Sequence, residues 1–420
     1  MNFSNILNSY NNKLYLDVII YLIIIFLIFG PAIPDLLCTL LALIATYFIF
    51  KKKELDENFY LLTITFLLLL LPNFFSPYFP EPFIEQLVNI RYFLFAFFIC
   101  TYTNLNIDDI IKFLVIVTSI LSFDLIFQFI FKFNVIGIPI DPGHSMARAS
   151  SFFRDELIAG AYILKFGLPI IGYYMYNQKN LLVFIFIILY ELAIISTGER
   201  MSFILFGIGL FFLFIFNYRN FKIIILYSVS VLLVFAITLT LFDEVRGRVK
   251  NFMLSTGMSE KTEFMDSGHG AHFQSAYYIF QENKLFGSGH KTFRLHCKKE
   301  NIRNKIISKS ESCSTHPHNV YFEILSESGL IGMLSFIIFI NFLLIKFIKS
   351  GLHKSKLNGF LVTFIIIIWP LSSAGNFFTN RIAVTNFLII GIMLYFCKPS
   401  LSNLFFKNDL NKKNNMKPIK

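Results

Sequence analysis

The run Thr315-His316-Pro317-His318-Asn319-Val320-Tyr321-Phe322-Glu323 sets two imidazoles, an amide and a carboxylate where a long polar stretch re-enters an apolar one. It continues Ile324-Leu325-Ser326-Glu327-Ser328-Gly329-Leu330-Ile331-Gly332. Apolar residues at 320, 321, 324, 325 and 331 keep helical spacing, and Asn319, Glu323 and Glu327 share the opposite face. Pro317 suits a first helical turn, which predicts His316 and His318 at a helix N-terminus beside unpaired backbone N–H groups. The dipole there disfavours imidazolium and attracts anions. A neutral imidazole beside an anion site has the chemistry of a general base. The plainer alternative is two histidines that only cap the helix.

Three further groups carry charge that could meet an anion. Ser196-Thr197-Gly198-Glu199-Arg200 is a turn between two apolar runs. The Arg200 fork matches a phosphate, or else pairs internally with Glu199 or Glu191. Arg148 and Arg154 flank Phe152 and Phe153 just before another apolar run, and either meet a diphosphate or pair with Asp155 and Glu156. Arg246 and Arg248 open the long polar segment, which later reads Phe286-Gly287-Ser288-Gly289-His290-Lys291. Those glycines imply a tight turn, and a lone GxG without strand–helix context is no nucleotide loop. From 291 to 309 seven basic residues face one Glu, a surface for pyrophosphate, anionic headgroups or acidic sugars, or simply a solvated basic face.

Cys297 and Cys313 share the polar segment, whereas Cys38, Cys100 and Cys397 belong to apolar runs. Outside the cytoplasm such a pair can oxidise, closing a loop of about 15 residues worth roughly 3 kcal/mol in the chain-entropy model. A zinc site from these cysteines with His296 or His316 is the alternative, without paired CxxC spacing. No metal or cofactor is expected.

The elements that must hold these residues are membrane helices. Hydrophobic residues make up 55% of the 420-residue chain, charged residues 15%, so a water-soluble domain is excluded. Hydropathy predicts an all-α polytopic membrane protein of about twelve spans, at 14–31, 32–50, 59–75, 89–103, 112–131, 157–176, 181–197, 201–217, 223–242, 329–348, 360–378 and 384–397. The first, Leu14 to Gly30, lacks a clear small-x-small cleavage site and reads as a retained helix. Eighteen basic residues fall on one set of alternate loops and termini, including Lys51 to Lys53, Lys354, Lys356 and the tail lysines, against six on the other. The positive-inside rule then makes both termini cytoplasmic and 132–156 and 243–318 external, and it accounts for the +11 net charge without nucleic acid. The expected organisation is spans 1–9 in residues 1–242, one large periplasmic loop domain at 243–318 between spans 9 and 10, spans 10–12 in 319–397, and a polar, cytoplasmic tail at 398–420, disordered from Lys407 onward.

His318-Asn319, nine residues, then Gly329-Leu330-Ile331-Gly332, in the wider form HPHNxYxxxLxExGxxG, resembles the signature of the O-antigen ligase/polymerase superfamily. Phe286-Gly287-Ser288-Gly289 is similar to the family segment upstream of it. Arg200 resembles the family's Arg after a Ser/Thr-rich turn, with Gly198-Glu199 in place of the usual preceding residue. Arg148 with Phe152 and Phe153 resembles the motif opening the middle span. The resemblance covers 145–335; the first 130 residues match only in being hydrophobic. It departs at Ser267 to Gln274, where histidines stand instead of an early Arg of the outer domain, so Arg246 or Arg248 is the candidate for that role.

The resemblance implies metal-independent, inverting glycosyl transfer at the periplasmic face of the bacterial inner membrane. The donor would be an undecaprenyl-diphosphate-linked glycan, and the acceptor a lipid-linked repeat (polymerase) or the lipid A core (ligase). A polymerase is slightly favoured by the Phe152–Gly160 stretch. Membrane lipids would be the remaining partners. His318 would be the catalytic base, supported by His316, Asn319 and Glu323, and Arg200, Arg148, Arg246 and Arg248 would supply the diphosphate-binding set. A lipid-glycan flippase fits the span count but not a late outer domain with a histidine turn, and no internal repeat is visible. A non-catalytic membrane sensor is the remaining class.

Overall fold

The computed structural model describes residues 10–52, 55–140, 148–154, 156–218, 221–255, 267–306, 313–372 and 375–397. The tail at 398–420 and Asp155 lie outside the described residues. In chain order the helices are α1 (Tyr10–Phe29), α2 (Ala32–Lys52), α3 (Glu57–Leu70), α4 (Glu81–Val88), α5 (Ile90–Tyr102) and α6 (Ile107–Phe131). There follow α7 (Ala159–Tyr176), α8 (Asn180–Thr197), α9 (Arg200–Asn217), α10 (Phe221–Leu241), α11 (Asp243–Ser255) and α12 (Gly268–Glu282). Two single turns, α13 (Phe293–His296) and α14 (Glu300–Arg303), precede α15 (Val320–Lys349), α16 (Asn358–Ile367) and α17 (Asn380–Phe396). Among the described residues there is no strand, only an isolated bridge between Phe133 and Pro139.

Eight helical stretches are long and apolar enough to cross a membrane, and Asp17–Phe29 of α1, with α16 and α17, are shorter apolar stretches. The chain is a multi-pass membrane protein. Each of the twelve sequence-predicted stretches coincides with helix, but the one at 360–378 is cut short. It stops at Ile367 because Pro370 follows, and a residue before proline is pushed out of the helical region. Residues 368–372 leave the helix, and the carbonyls of Pro370 and Ser372 are used at the site.

One apolar core joins the spanning helices. In it α7 packs against α8, α16, α9 and α6, and α5 packs against α2 and α17. The α7–α16 crossing is close because both sides are glycine: a Cβ on Gly359 would lie 2.4 Å from the Leu168 carbonyl oxygen. A second, small core of Ala271, Ala276, Ile279, Phe293, Cys297, Ile302 and Ile306 holds the segment between α11 and α15 together. The Sγ atoms of Cys297 and Cys313 are bonded, with Cα atoms 5.1 Å apart.

Two sequence motifs clasp each other. The 286–289 turn runs against a break in α15 at Gly329, where φ is +62°. Ser288 N–H donates to Ser326 O (3.0 Å), Gly289 N–H to Glu327 O (2.7 Å), and Leu330 N–H to Lys284 O (2.9 Å). The buried Glu327 carboxylate accepts from the Lys291 and Phe293 amides. The glycine pattern is thus a backbone contact, which is why no side chain fits there.

Candidate functional site

The turn that carries the histidines differs from the sequence expectation. Asn319, not a histidine, caps α15: its Oδ1 accepts from Tyr321 N (3.0 Å) and Phe322 N (3.2 Å). Pro317 lies outside the helix, and His318 precedes the cap with φ at +58°. Asn319 thus takes the Tyr321, Phe322 and Glu323 amides, which are not left to an anion as the expected N-terminal site had them. The Asn319 amide also donates to Pro370 O at 2.8 Å, tying the turn to the loop after α16.

Around His318 stand three more imidazoles. Ring centroids are 4.3 Å from His316, 5.3 Å from His272 and 5.6 Å from His269. His269 and His272 open α12, which Ser267 caps by accepting from Gly270 N. Burial first, then the fields of His316, His272 and His269, pushes His318 down to about 4. His316 is lowered too, by burial and by His272. His318 is thus neutral at neutral pH, with an open lone pair for a proton.

A cavity of about 1130 Å³ lies beside this turn, and Arg148, Arg200, His318 and Asn319 all line it. Arg148 is held by Nε donating to Thr197 O (3.0 Å), and its chain by Ala149 N–H to Ser196 O (3.1 Å). The segment that bears it is anchored from α6: Gln128 Oε1 accepts from Ser150 and Ser151 amides, and Asp124 accepts from the Ser151 hydroxyl. Arg200 opens α9 after the turn at Gly198. The Glu199 carboxylate does not close on that arginine as the internal-pair alternative had it; its oxygens accept from Gly160 N (2.7 Å) and Ala161 N (2.9 Å), capping α7. Burial raises Glu199 against those hydrogen bonds and Arg148. The field of Arg200 reaches Arg148 and lowers it further below its burial-depressed value.

The two arginines of α11 are not in the cavity wall. Arg246 faces outward and pairs with Asp243 one turn away, so a local partner takes its charge. Arg248 is buried behind the wall: its Nη1 donates to Ile195 O (2.9 Å), and a Cβ on Gly198 would lie 2.8 Å from its guanidinium. Burial first, then Arg148, lowers it to about 10. It braces the turn that presents Arg200. Glu323 is buried in α15 rather than exposed to the cavity, and His316 stacks behind His318. Arg154 is exposed, with φ at +58°.

Four lining residues are not among the sequence-predicted site residues: His269 and His272, seen in the sequence only as a departure from the family pattern, and Lys165 and Arg381. Arg381 pairs with Glu156 and stacks on Phe153, its Cζ 5.6 Å from the ring centroid. Lys165 was legible as a lone lysine inside an apolar run, the usual mark of a functional position in a membrane helix.

No curated protein matches the chain. Residues 182–337, from α8 through the middle of α15, match the model of the O-antigen ligase family. That stretch contains Arg200, both α11 arginines, the histidine turn and the glycine clasp, and over it the chain is similar to the O-antigen ligase family, which supports the resemblance to the O-antigen ligase/polymerase superfamily.

Proposed function

We propose that the protein transfers a glycan from an undecaprenyl-diphosphate-linked donor to an acceptor hydroxyl in the synthesis of surface polysaccharide. The observation that carries this reading is the convergence of His318, Arg148 and Arg200 on one cavity within a chain similar to this family. In the reaction the acceptor oxygen attacks the anomeric carbon from the face opposite the diphosphate. The carbon–oxygen bond to the diphosphate breaks, and configuration inverts. His318 takes the hydroxyl proton, and Arg148 and Arg200 receive the charge that grows on the leaving diphosphate. A diphosphate is already a good leaving group, so fixed cations and positioning supply most of the catalysis, without a metal. Arg248 acts through the Gly198 turn rather than by contact, and Arg246 drops out of the binding set.

The twelve-span arrangement belongs to the same proposal, with both termini cytoplasmic and 243–318 periplasmic. Single cysteines at the exposed positions of Lys284 and Lys354 test it. A membrane-impermeant reagent should label Lys284→Cys but not Lys354→Cys in spheroplasts, and the reverse pattern would overturn the orientation. The acceptor is a lipid-linked repeat by the likeness of the Phe152–Gly160 stretch to polymerases; the lipid A core is the other candidate. Deletion followed by electrophoresis of surface polysaccharide decides between them. A core bearing one repeat marks a polymerase, polymer stranded on the carrier lipid marks a ligase, and an unchanged pattern refutes both.

A further inference from the structure

Lys165 sits six residues into α7, about 9 Å along the axis at 1.5 Å per residue. It lines the same cavity as the arginines and His318 but plays no part in the transfer as derived. Its neighbours in sequence, Leu164 and Phe166, are buried and apolar. Among the described residues its ammonium makes one long hydrogen bond, to Asn386 Oδ1 at 3.4 Å, and no carboxylate neutralises it.

Other lysines on or beside the apolar helices are treated differently. Lys346 Nζ lies 3.2 Å from Glu57 Oε1, and Lys356 Nζ lies 2.7 Å from Asp108 Oδ1. Those pairs are complete within the chain. An ammonium has three donors, and a cation held on a helix of the bundle at a cavity wall with only an amide carbonyl beside it is expensive unless something in the cavity satisfies it. Asn386 belongs to the face of α17 that also presents Arg381 and Thr385 to the cavity. Its carbonyl turned to Lys165 leaves its NH2 as a second donor.

We infer that Lys165 and Asn386 form an oxyanion subsite in this cavity, separate from Arg148 and Arg200, for a phosphate or carboxylate group of the lipid-linked glycan. The inference rests on the transferase reading. The oxyanion has two possible sources, the carrier diphosphate and an acidic sugar of the glycan, and both offer the same chemistry to an ammonium.

The test uses full-length protein in lipid nanodiscs, as wild type, Lys165→Met and Lys165→Arg. Binding of undecaprenyl diphosphate and of undecaprenol is measured, and surface polysaccharide is compared in cells carrying each variant. Thermal unfolding checks that each variant is folded, and Asn386→Leu replaces Lys165→Met if the latter is not. Lys165→Met should lose about tenfold in affinity for undecaprenyl diphosphate, with undecaprenol unchanged, if the carrier phosphate is the occupant. Unchanged affinity with loss of polysaccharide in cells would assign the subsite to an acidic group of the glycan. Lys165→Arg should restore most of either loss. Wild-type affinity together with wild-type polysaccharide in Lys165→Met overturns the subsite and leaves the transferase reading standing. A wild-type protein that binds undecaprenyl diphosphate no better than undecaprenol, and whose deletion leaves surface polysaccharide unchanged, overturns the transferase reading itself.

Discussion

Gly287 lies directly against the break in α15 at Gly329: a Cβ on Gly287 would come within 2.4 Å of the Glu327 carbonyl carbon, and one on Gly329 within 2.5 Å of Leu285 backbone. Both glycines have positive φ, +69° and +62°. Neither position admits a side chain for two independent reasons, conformation and space. Gly287→Ala and Gly329→Ala should each cost at least about 1–3 kcal/mol. The measurement is thermal or denaturant unfolding of the purified variants. Unfolding midpoints equal to wild type would show that the clasp does not hold the histidine turn.

His318→Ala should lower transfer by roughly 10²–10⁴-fold while the protein remains folded, because a partly buried base at the cavity wall is removed and it belongs to neither hydrophobic core. Arg200→Lys keeps the charge but loses the fork, and should weaken donor binding more than turnover. Kinetics with donor and acceptor varied separately would reveal this split. Near-normal product from His318→Ala would remove the catalytic assignment.

The pH profile follows from the lowered histidines. With His318 near 4 rather than 6.5, the free enzyme keeps its base unprotonated through mild acid. The acid limb of kcat/KM should therefore fall close to pH 4, not 6.5. Stability has the same sign. Between about 6.5 and 4 the unfolded chain binds the proton and the folded chain does not. The contribution is complete above the unfolded value and is lost as pH falls through the folded one. His296, lowered to about 4 by burial and Lys299, and His290, lowered to about 3 by burial, Lys291 and Arg294, add to it. Glu199 and Glu327, raised by burial, act in the opposite direction, so the histidine contribution is read as the difference in melting temperature between wild type and His318→Ala, which should shrink from pH 7 to pH 5; a difference that grows would contradict the assignment.

EDTA should leave transfer by the purified protein intact, since guanidinium groups hold the diphosphate in the proposed reaction. Activity abolished by EDTA and restored by a divalent cation would end the metal-free mechanism, though not the family resemblance.

Reduction of the Cys297–Cys313 bond, or Cys297→Ser with Cys313→Ser, should destabilise the protein by roughly 3 kcal/mol by loop entropy. The effect should fall on the small core that contains Cys297, so local hydrogen exchange at 293–306 is the sharper measurement. Unchanged exchange there would make the bond incidental.

What the sequence disclosed depended on whether the signal was local. Apolar runs placed the helices, because a spanning segment must be continuous to satisfy its backbone. His318, Arg200 and Arg148 were legible as polar groups at the margins of such runs. Three signals failed for physical reasons. The break at Ile367 required weighing Pro370 over the surrounding hydropathy. Arg246 and Arg248 are two residues apart, and no local pattern says that one pairs with Asp243 while the other turns inward behind Gly198. His269 and His272 were seen as a departure from the family pattern, and only the packing of α12 on α15 brings them to His318.

The candidate span Phe221–Leu241 is 11% buried, whereas the next lowest of the eight is 33%. It leads directly into α11, and so to the guanidinium of Arg248 that supports the Gly198 turn. Most of that helix's surface is consequently not covered by the described residues of the chain. In a bilayer, acyl chains would take the place of protein neighbours there, so extraction into detergent should change the surroundings of this one helix more than those of any other candidate span. The bilayer would in that sense be a structural component of the wall that presents Arg200.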